Sequence, residues 1–203
     1  DPRFAQLLGR LRCGKLQLAD AGAHVQSDQQ AVLAALAHDG LALRSAAELL
    51  RGEREVVLAA VSQNGEAMQY APDFLRRDKE LLLEAVRRDH RVLKHVPESL
   101  RADKEVVLAA VAHCREALHC VNRGDRQLML AVVAEHGMAL QYLSKNLRAD
   151  AQVVTAAVLQ DAGALQYASE SRRADRDVVM TAVARNGRML QLAAPHLKAA
   201  KAL

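Results

Sequence analysis

Residues 103–111 read DKEVVLAAV, and the same pattern, an acidic residue followed by paired apolar residues, recurs along the chain. The acidic residue that begins each copy stands at position 28, 53, 78, 103, 125, 150 or 175, so the step is 25 residues except for one of 22. A fixed period of this length is typical of repeat proteins, in which each unit buries its apolar face against its neighbours. The pattern therefore predicts a tandem array rather than one globular core.

Each copy predicts an amphipathic helix. Its first residue is Asp in six of seven copies, and Asp is a favoured helix N-cap because its short side chain accepts from free backbone N–H groups. Apolar residues follow at the third, fourth, seventh and eighth positions, which is the spacing of one helix face. The seventh position is Ala in six copies, so we expect a neighbouring backbone to approach there. Each helix is expected to end near an Asn-Gly pair such as Asn64-Gly65, with glycine as a left-handed cap.

A second, shorter helix is expected after the glycine, followed by a Leu-Arg-x-Asp link into the next copy. No strand-like alternation competes with this interpretation. The predicted fold class is all-α, a right-handed helical-repeat solenoid of about seven 25-residue helix-turn-helix repeats. We expect an N-terminal cap with a degenerate half repeat at residues 1–27, seven tandem repeats at 28–199, and the start of a truncated eighth repeat at 200–203.

Four short motifs identify the repeat further: DKEVVLAAV at 103–111, Asn64-Gly65, ALQY at 139–142 and LRAD at 147–150. In these motifs the chain resembles the repeats of the domain-of-unknown-function family numbered 4116, over nearly all of residues 28–203. That family is seen mainly in algal, protist and some intracellular bacterial proteins, in long tandem arrays. The resemblance implies a helical repeat fold and brings no activity and no catalytic residues with it.

Composition narrows the class of protein. Aromatic residues make up 2% of the chain, which suits thin layers of stacked helices better than a thick core. The net charge is +4, from 28 basic and 24 acidic residues, which is modest for a nonspecific nucleic-acid binder. Three cysteines are too few for a disulfide framework and favour a reducing compartment.

Location is predicted only coarsely. No apolar run approaches the roughly 18 residues that span a membrane, so we do not expect an integral membrane protein. We expect an intracellular, soluble protein, with the cytoplasm and an organelle lumen, stroma or matrix left open. Because the chain begins with Asp1 rather than Met, we expect a processed chain or a fragment.

Residues that break the repeat give little sign of catalysis. The stretch HCREALHC at 113–120 is the one cluster of cysteine and histidine, but its spacing lacks the two separated ligand pairs of a structural zinc site. The tripeptide Arg123-Gly124-Asp125 is explained by the repeat, because Asp125 begins a helix. We therefore expect no metal, no cofactor and no catalytic residues, and not an enzyme.

A basic residue stands two positions before the start of each following copy. We call these residues the basic row: Arg51, Arg76, Arg101, Arg123, Arg148, Arg173 and Lys198. One interpretation is structural, with each side chain at the last carbonyls of the short helix or paired with the acidic residue that follows. The other is a ridge that binds anions or a partner. We favour the structural interpretation, because the neighbouring acid would cancel much of each cation's field.

A second row follows the apolar anchor of the shorter helix. We call it the glutamine–tyrosine row: Gln69, Tyr70, Gln141, Tyr142, Gln166 and Tyr167. Polar and aromatic side chains together suit a surface that binds a protein partner. They suit a half-buried structural ridge equally well.

The leading hypothesis is a noncatalytic protein–protein interaction scaffold, or a peripheral subunit of a larger complex, with an organelle as one candidate location. Its protein partner is not specified by the sequence. The second hypothesis is a nucleic-acid-binding helical-repeat protein that uses the basic row. It is less favoured because the chain has few aromatic residues on which bases could stack.

Overall fold

A computed structural model describes residues 2–195 and residue 197, and the regular structure of these residues is entirely helical, without a strand. Seven helices begin one residue after the predicted cap positions, so the predicted starts are confirmed. Six of them have ten residues, whereas the first has eight. These long helices are Gln29–Leu36, Arg54–Gln63, Lys79–Arg88, Lys104–His113, Arg126–Glu135, Ala151–Gln160 and Arg176–Arg185.

The second helix of each repeat differs from the prediction, because a 3-10 helix stands in its place, and in five repeats a separate short turn follows. Between the two the backbone is extended, as at Ala71 with φ −71° and ψ 146°. Pro72 follows Ala71, and proline disfavours helical geometry in the residue before it. The 3-10 helices are Gly40–Ser45, Gly65–Tyr70, His90–His95, Arg115–His119, Gly137–Tyr142, Ala162–Tyr167 and Gly187–Leu192. The short turns are Glu48–Arg51, Asp73–Arg76, Glu98–Arg101, Leu147–Ala149 and Glu170–Arg173.

The N-terminal residues form three helical segments, Pro2–Arg12, Leu18–Asp20 and Ala23–Gln26. The first of these packs against the long helix Gln29–Leu36. Leu11 and Leu18 are buried there, so this segment covers the apolar face of the repeat beside it.

Acidic caps begin most of the long helices. Asp28, Asp78, Asp103, Asp125 and Asp150 each accept a hydrogen bond from the backbone N–H three residues later, at 2.9–3.2 Å. Glu53 makes no such bond. Asp175 caps its helix through the N–H two residues later, that of Asp177, at 3.1 Å. The predicted N-cap role is therefore confirmed for all six aspartates, and the bonds satisfy donors that a helix otherwise leaves free.

The apolar face of each helix is buried at the predicted spacing. In the helix Arg54–Gln63, the side chains of Val56, Val57, Ala60 and Val61 are fully buried. The alanine at the seventh position is buried in every copy that carries one. The predicted helix phase is confirmed.

The glycine after the long helix is not a left-handed cap, and that prediction is wrong. Gly14 is the one described residue with a positive φ, at 71°. Asn64 ends its helix in an extended conformation, with φ −153°, and its side chain accepts from the N–H of Glu66. The Asn of the Asn-Gly pair is therefore both the C-cap of the long helix and the N-cap of the 3-10 helix that follows.

In two repeats glycine is needed at this position, because the next repeat lies against it. A Cβ atom on Gly40 would lie 2.4 Å from the carbonyl oxygen of Ala60, and one on Gly137 would lie 2.4 Å from that of Ala157. The predicted approach of a neighbouring backbone to the seventh-position alanine is thus confirmed at Ala60 and Ala157. The approach requires a residue without a side chain on the facing repeat.

The chain divides into two compact units, Asp1–Ala110 (unit 1) and Val111–Leu203 (unit 2). In unit 1 the helix Arg54–Gln63 contacts Gln29–Leu36 on one side and Lys79–Arg88 on the other. In unit 2 the helix Ala151–Gln160 contacts Arg126–Glu135 and Arg176–Arg185 in the same way. Among the described residues, no helix is long and apolar enough to cross a membrane. The residues predicted to start an eighth repeat, 200–203, lie outside the described part.

Candidate functional site

The acidic caps are paired with the preceding repeat. The side chain at the first helical position of one repeat reaches the cap of the next: Arg54 contacts Asp78, Lys79 contacts Asp103 and Arg126 contacts Asp150, each at 2.9 Å. Each of these three aspartates therefore serves two purposes, since it caps its own helix and also binds a cation from the preceding repeat. Sequence reasoning missed these pairs, although a cation recurs at this position.

These pairs change the acidity of the caps. The hydrogen bond from Arg126, together with the backbone N–H of Val153, lowers the pKa of Asp150 below its ordinary value. At Asp103, partial burial opposes the effect, but the hydrogen bond from Lys79 lowers the pKa overall. Both carboxylates are held in the charged form by contacts that join adjacent repeats.

The residues of the basic row do not pair with the acidic caps, which contradicts the favoured structural interpretation. The guanidinium groups of Arg51, Arg101, Arg148 and Arg173 form no hydrogen bond or ion pair with any described residue. Their Nε atoms, and that of Arg76, are buried without a hydrogen-bond partner. The stems are thus packed into the surface. Lys198 lies outside the described residues.

Two other members of the basic row have local partners. Arg76 pairs with Asp73 in the same short turn. Arg123 donates from Nη1 to the carbonyl oxygen of Tyr142 at 3.2 Å. Neither contact is the one with the following cap that the structural interpretation required.

The structure brings the basic row beside the glutamine–tyrosine row of the next repeat. Arg51 lines one shallow pocket with Gln69, Tyr70 and Pro72. Arg76 lines the equivalent pocket with Lys94, His95 and Pro97. The two rows, predicted separately from the sequence, therefore form one surface.

Backbone contacts fix the same register in unit 2. The N–H of Ser169 donates to the carbonyl oxygen of Arg148, and the N–H of Ala194 donates to that of Arg173, both at 2.9 Å. Ser169 lies two residues after Tyr167, so Arg148 lies beside the end of the 3-10 helix that carries Gln166 and Tyr167.

The glutamine–tyrosine row is partly engaged. Gln69 and Gln166 each donate their side-chain amide to a carbonyl oxygen three residues earlier, at 3.0 and 3.1 Å. The side-chain oxygen of each amide accepts nothing from the described residues. Tyr70, Tyr142 and Tyr167 are half-buried, and the ring of His119 meets that of Tyr142 edge-on, with centroids 5.5 Å apart. The surface therefore presents cationic donors, amide acceptors and the edges of tyrosine rings.

The acidic neighbours of the basic row differ between the units. In unit 1 an acid stands three positions before each arginine: Glu48, Asp73 and Glu98. In unit 2 the corresponding residues are Lys145 before Arg148 and Glu170 before Arg173, and the shortened repeat has none before Arg123. The positive charge of the basic row is therefore less neutralised by neighbouring acidic residues in unit 2 than in unit 1.

A further acid neutralises part of the unit 1 surface. Glu66 contacts Lys94 at 2.7 Å and His95 at 2.6 Å, both in the next repeat. Hydrogen bonds from these two side chains lower the pKa of Glu66. The side chains that follow the anchor in this repeat, Lys94 and His95, thus already have a partner within the protein.

The cysteine and histidine cluster does not form a metal site in the described part of the chain, where no three His, Cys, Asp or Glu residues are placed to hold an ion. Cys114 donates to Glu116 at 2.7 Å, and burial with this contact raises the pKa of its thiol. In the tripeptide at 123–125, the N–H of Gly124 donates to Asn122, and Asp125 caps the next helix. Both motifs therefore have local structural contacts.

Comparison with known proteins places the repeats in a described family. A model of the family described as Domain of unknown function (DUF4116) matches four times in tandem, at residues 28–76, 78–122, 125–171 and 152–198. No curated protein and no solved structure matches the chain.

Proposed function

We propose that this chain, which belongs to the DUF4116 family of tandem repeats, is a noncatalytic protein–protein interaction scaffold, or a peripheral subunit of a larger complex. The basic row and the glutamine–tyrosine row together form its recognition surface. The proposal includes the right-handed solenoid of about seven repeats, which is a form that presents extended binding surfaces. A crystal structure of the chain tests the handedness and the number of repeats.

The observation that carries this proposal is the set of arginines without acidic partners. Packing an arginine stem and burying its Nε has a desolvation cost, which a structural ion pair normally offsets. At Arg51, Arg101, Arg148 and Arg173 no such pair exists within the described residues. A partner that supplies acidic groups to these guanidinium groups would offset this desolvation cost. Arginine is also enriched where proteins bind one another.

The periodicity of the surface supports binding rather than catalysis. Catalysis requires a few residues to converge at one place, whereas these arginines recur once per repeat. A repeated surface suits an extended partner that makes similar contacts at successive repeats.

An affinity capture experiment with matched variants tests the proposal. The binding variant replaces Arg51, Arg148 and Arg173 by glutamine. The control variant replaces Arg12, Arg87 and Arg188 by glutamine. These arginines are exposed and lie outside both rows, and both variants lose the same charge. Each protein is immobilised and incubated with a nuclease-treated extract of source cells at physiological salt.

We expect the wild type and the control variant to retain the same proteins, and the binding variant to lose them. If all three retain the same proteins, the basic row is not the recognition surface and the proposal fails. Nuclease treatment removes any retention that depends on nucleic acid.

The second candidate function is nucleic-acid binding, which the same unpaired arginines favour because they could contact phosphates. It is tested by titrating a random single-stranded oligonucleotide at low and high salt. Phosphate contacts predict affinity that falls steeply with salt and is lost in the binding variant but not in the control variant. Absence of binding at low salt removes this candidate.

A further inference from the structure

The surface of unit 2 combines unpaired cations with acceptors and aromatic rings. Arg148 and Arg173 have no acidic partner in the described part, and Arg123 uses one of its donors on a carbonyl oxygen. Lys145 adds a cation three positions before Arg148, where unit 1 has acids. The field of this surface is therefore more positive than that of its counterpart in unit 1.

The arginines of this surface are oriented by burial. Because the Nε atoms of Arg148 and Arg173 are buried, a ligand must approach the guanidinium through its terminal Nη groups. Stems that are already packed lose little further conformational freedom on binding, which favours recognition. Each arginine is thus a fixed point whose Nη groups can donate to one carboxylate end-on.

The repeat determines the spacing of these points. The backbone contacts of Arg148 and Arg173 with their next repeats are equivalent, both at 2.9 Å, so the arginines advance by one repeat each. Adjacent packed helices lie about 8–10 Å apart. A polyproline II helix has about three residues per turn and a rise of about 3.1 Å, so its every third residue returns to the same face after about 9 Å. The spacing of adjacent repeats therefore matches the spacing of every third residue along a polyproline II helix.

The remaining groups of the surface also suit a peptide in this conformation. A polyproline II backbone makes no internal hydrogen bonds, so its N–H groups are free to donate, and the side-chain oxygen of Gln166 is a free acceptor. Polyproline II segments commonly bind along surfaces lined by aromatic rings, and Tyr142 and Tyr167 lie one repeat apart here. A phosphate backbone offers acceptors to the arginines but no N–H groups to the glutamines.

We propose that the unit 2 surface, made by Arg123, Arg148, Arg173, Tyr142 and Tyr167, binds an extended acidic protein segment. The segment adopts a polyproline II conformation and carries a carboxylate at every third residue. This inference rests on the proposed interaction function and specifies the chemistry of the partner.

Two peptides of equal composition test the spacing. One consists of four Glu-Pro-Ala triplets, and the other has the same residues with all glutamates consecutive at one end. Binding of each fluorescently labelled peptide to the full chain is measured by anisotropy at about 0.1 M ionic strength, where exposed charges are screened beyond about 10 Å.

Two matched variants locate the binding. One replaces Arg123, Arg148 and Arg173 by glutamine, and the other replaces the unit 1 arginines Arg51, Arg76 and Arg101 by glutamine. Circular dichroism establishes that both variants keep the helical fold. We expect the spaced peptide to bind the wild type about fivefold more tightly than the consecutive peptide. The unit 2 variant should bind it about tenfold more weakly, as expected for several exposed ion pairs, and the unit 1 variant should bind it as the wild type does.

The other outcomes separate the inference from the proposed function. If both peptides bind equally and both are lost in the unit 2 variant, the spacing is wrong but an acidic protein partner is supported. If neither peptide binds while the capture experiment still shows arginine-dependent proteins, this inference alone is overturned. If only an oligonucleotide binds and the unit 2 variant loses it, both this inference and the proposed function are overturned.

Discussion

In unit 1 an acid stands three positions before each arginine of the basic row. In unit 2 only Arg173 has such an acid, Glu170, whereas the position holds Lys145 before Arg148 and is deleted before Arg123. Unit 1 also exposes two apolar side chains beside this row, Leu49 at 86% and Phe74 at 63%. The unit 2 side chains at the corresponding position are Asn146 and Ser171. The surfaces of the two units have therefore diverged in charge and in polarity.

By contrast, one contact between adjacent repeats is the same in both units. The N–H of Gly40 donates to the side-chain oxygen of Gln63 at 2.7 Å in unit 1, and the N–H of Gly137 donates to that of Gln160 at 2.8 Å in unit 2. Stacking therefore restricts the residues between repeats, while residues on the outer surface are free to specialise for a partner.

The largest expected effect is a loss of stability when a methyl group is placed between repeats. Gly40→Ala in unit 1 and Gly137→Ala in unit 2 each place a Cβ 2.4 Å from a carbonyl oxygen of the next repeat. We expect each to lower the free energy of unfolding by about 1–3 kcal/mol, as overpacking does. The measurement is urea denaturation followed by circular dichroism.

Gly187→Ala is the control, because a Cβ on Gly187 has no atom of a described residue within 4 Å. It should be neutral or slightly stabilising, since alanine reduces the entropy of the unfolded chain. If Gly40→Ala is harmful and Gly137→Ala is not, the interiors differ and the comparison between the units fails.

The sequence was sufficient for features that repeat within one helix. The cap at Asp78 and the buried pairs such as Val56 and Val57 follow from local spacing, so their prediction succeeded. The prediction of a left-handed glycine cap failed because the Asn64-Gly65 pair is compatible with two backbone geometries. The choice between them depends on the repeat that packs against Gly65, where a Cβ would lie 2.5 Å from the carboxyl carbon of Asp89.

The candidate surface was predictable as two rows but not as one surface. Periodicity identified Arg51 and Tyr70 separately, because each recurs with the repeat. Their proximity depends on how one repeat stacks on the next, and that register is not visible along the sequence. The pairing of Arg54 with Asp78, 24 residues away, was missed for the same reason. It also reversed the expectation that the caps neutralise the basic row.

The second effect concerns the cap of a long helix in each unit. Asp78→Ala in unit 1 and Asp150→Ala in unit 2 each remove a cap bond of 3.0 Å and an ion pair with the preceding repeat. We expect each to lower the free energy of unfolding by about 1 kcal/mol, the usual cost of losing an N-cap. Thermal unfolding measures it, and equal losses in the two units support the similarity of their interiors. An unchanged melting temperature in either unit would contradict it.

A smaller effect appears as a dependence on pH. The pKa of Asp150 is lowered in the folded protein, first by the hydrogen bond from Arg126, so the unfolded state binds this proton more tightly. The resulting stabilisation is present above the ordinary pKa of about 3.9 and is lost as the pH falls through the lower folded value. Asp150→Asn keeps a good cap but removes the charge. Its deficit relative to the wild type should therefore shrink between pH 7 and about pH 2, and a deficit that is constant with pH would show that the charge contributes nothing.

The smallest expected effect on stability comes from the surface on which the units differ most. Arg148 makes no ion pair with a described residue, so Arg148→Gln should change the free energy of unfolding by less than about 0.5 kcal/mol, as surface substitutions usually do. Arg51→Gln should behave in the same way in unit 1. Arg126→Gln in unit 2 removes the same charge but breaks the pair with Asp150, so it should lower the melting temperature more than either. This order distinguishes arginines that hold repeats together from arginines that are free for a partner. If Arg148→Gln destabilises the chain as much as Arg126→Gln does, then Arg148 has a structural role and the unit 2 surface loses its main evidence as a binding site.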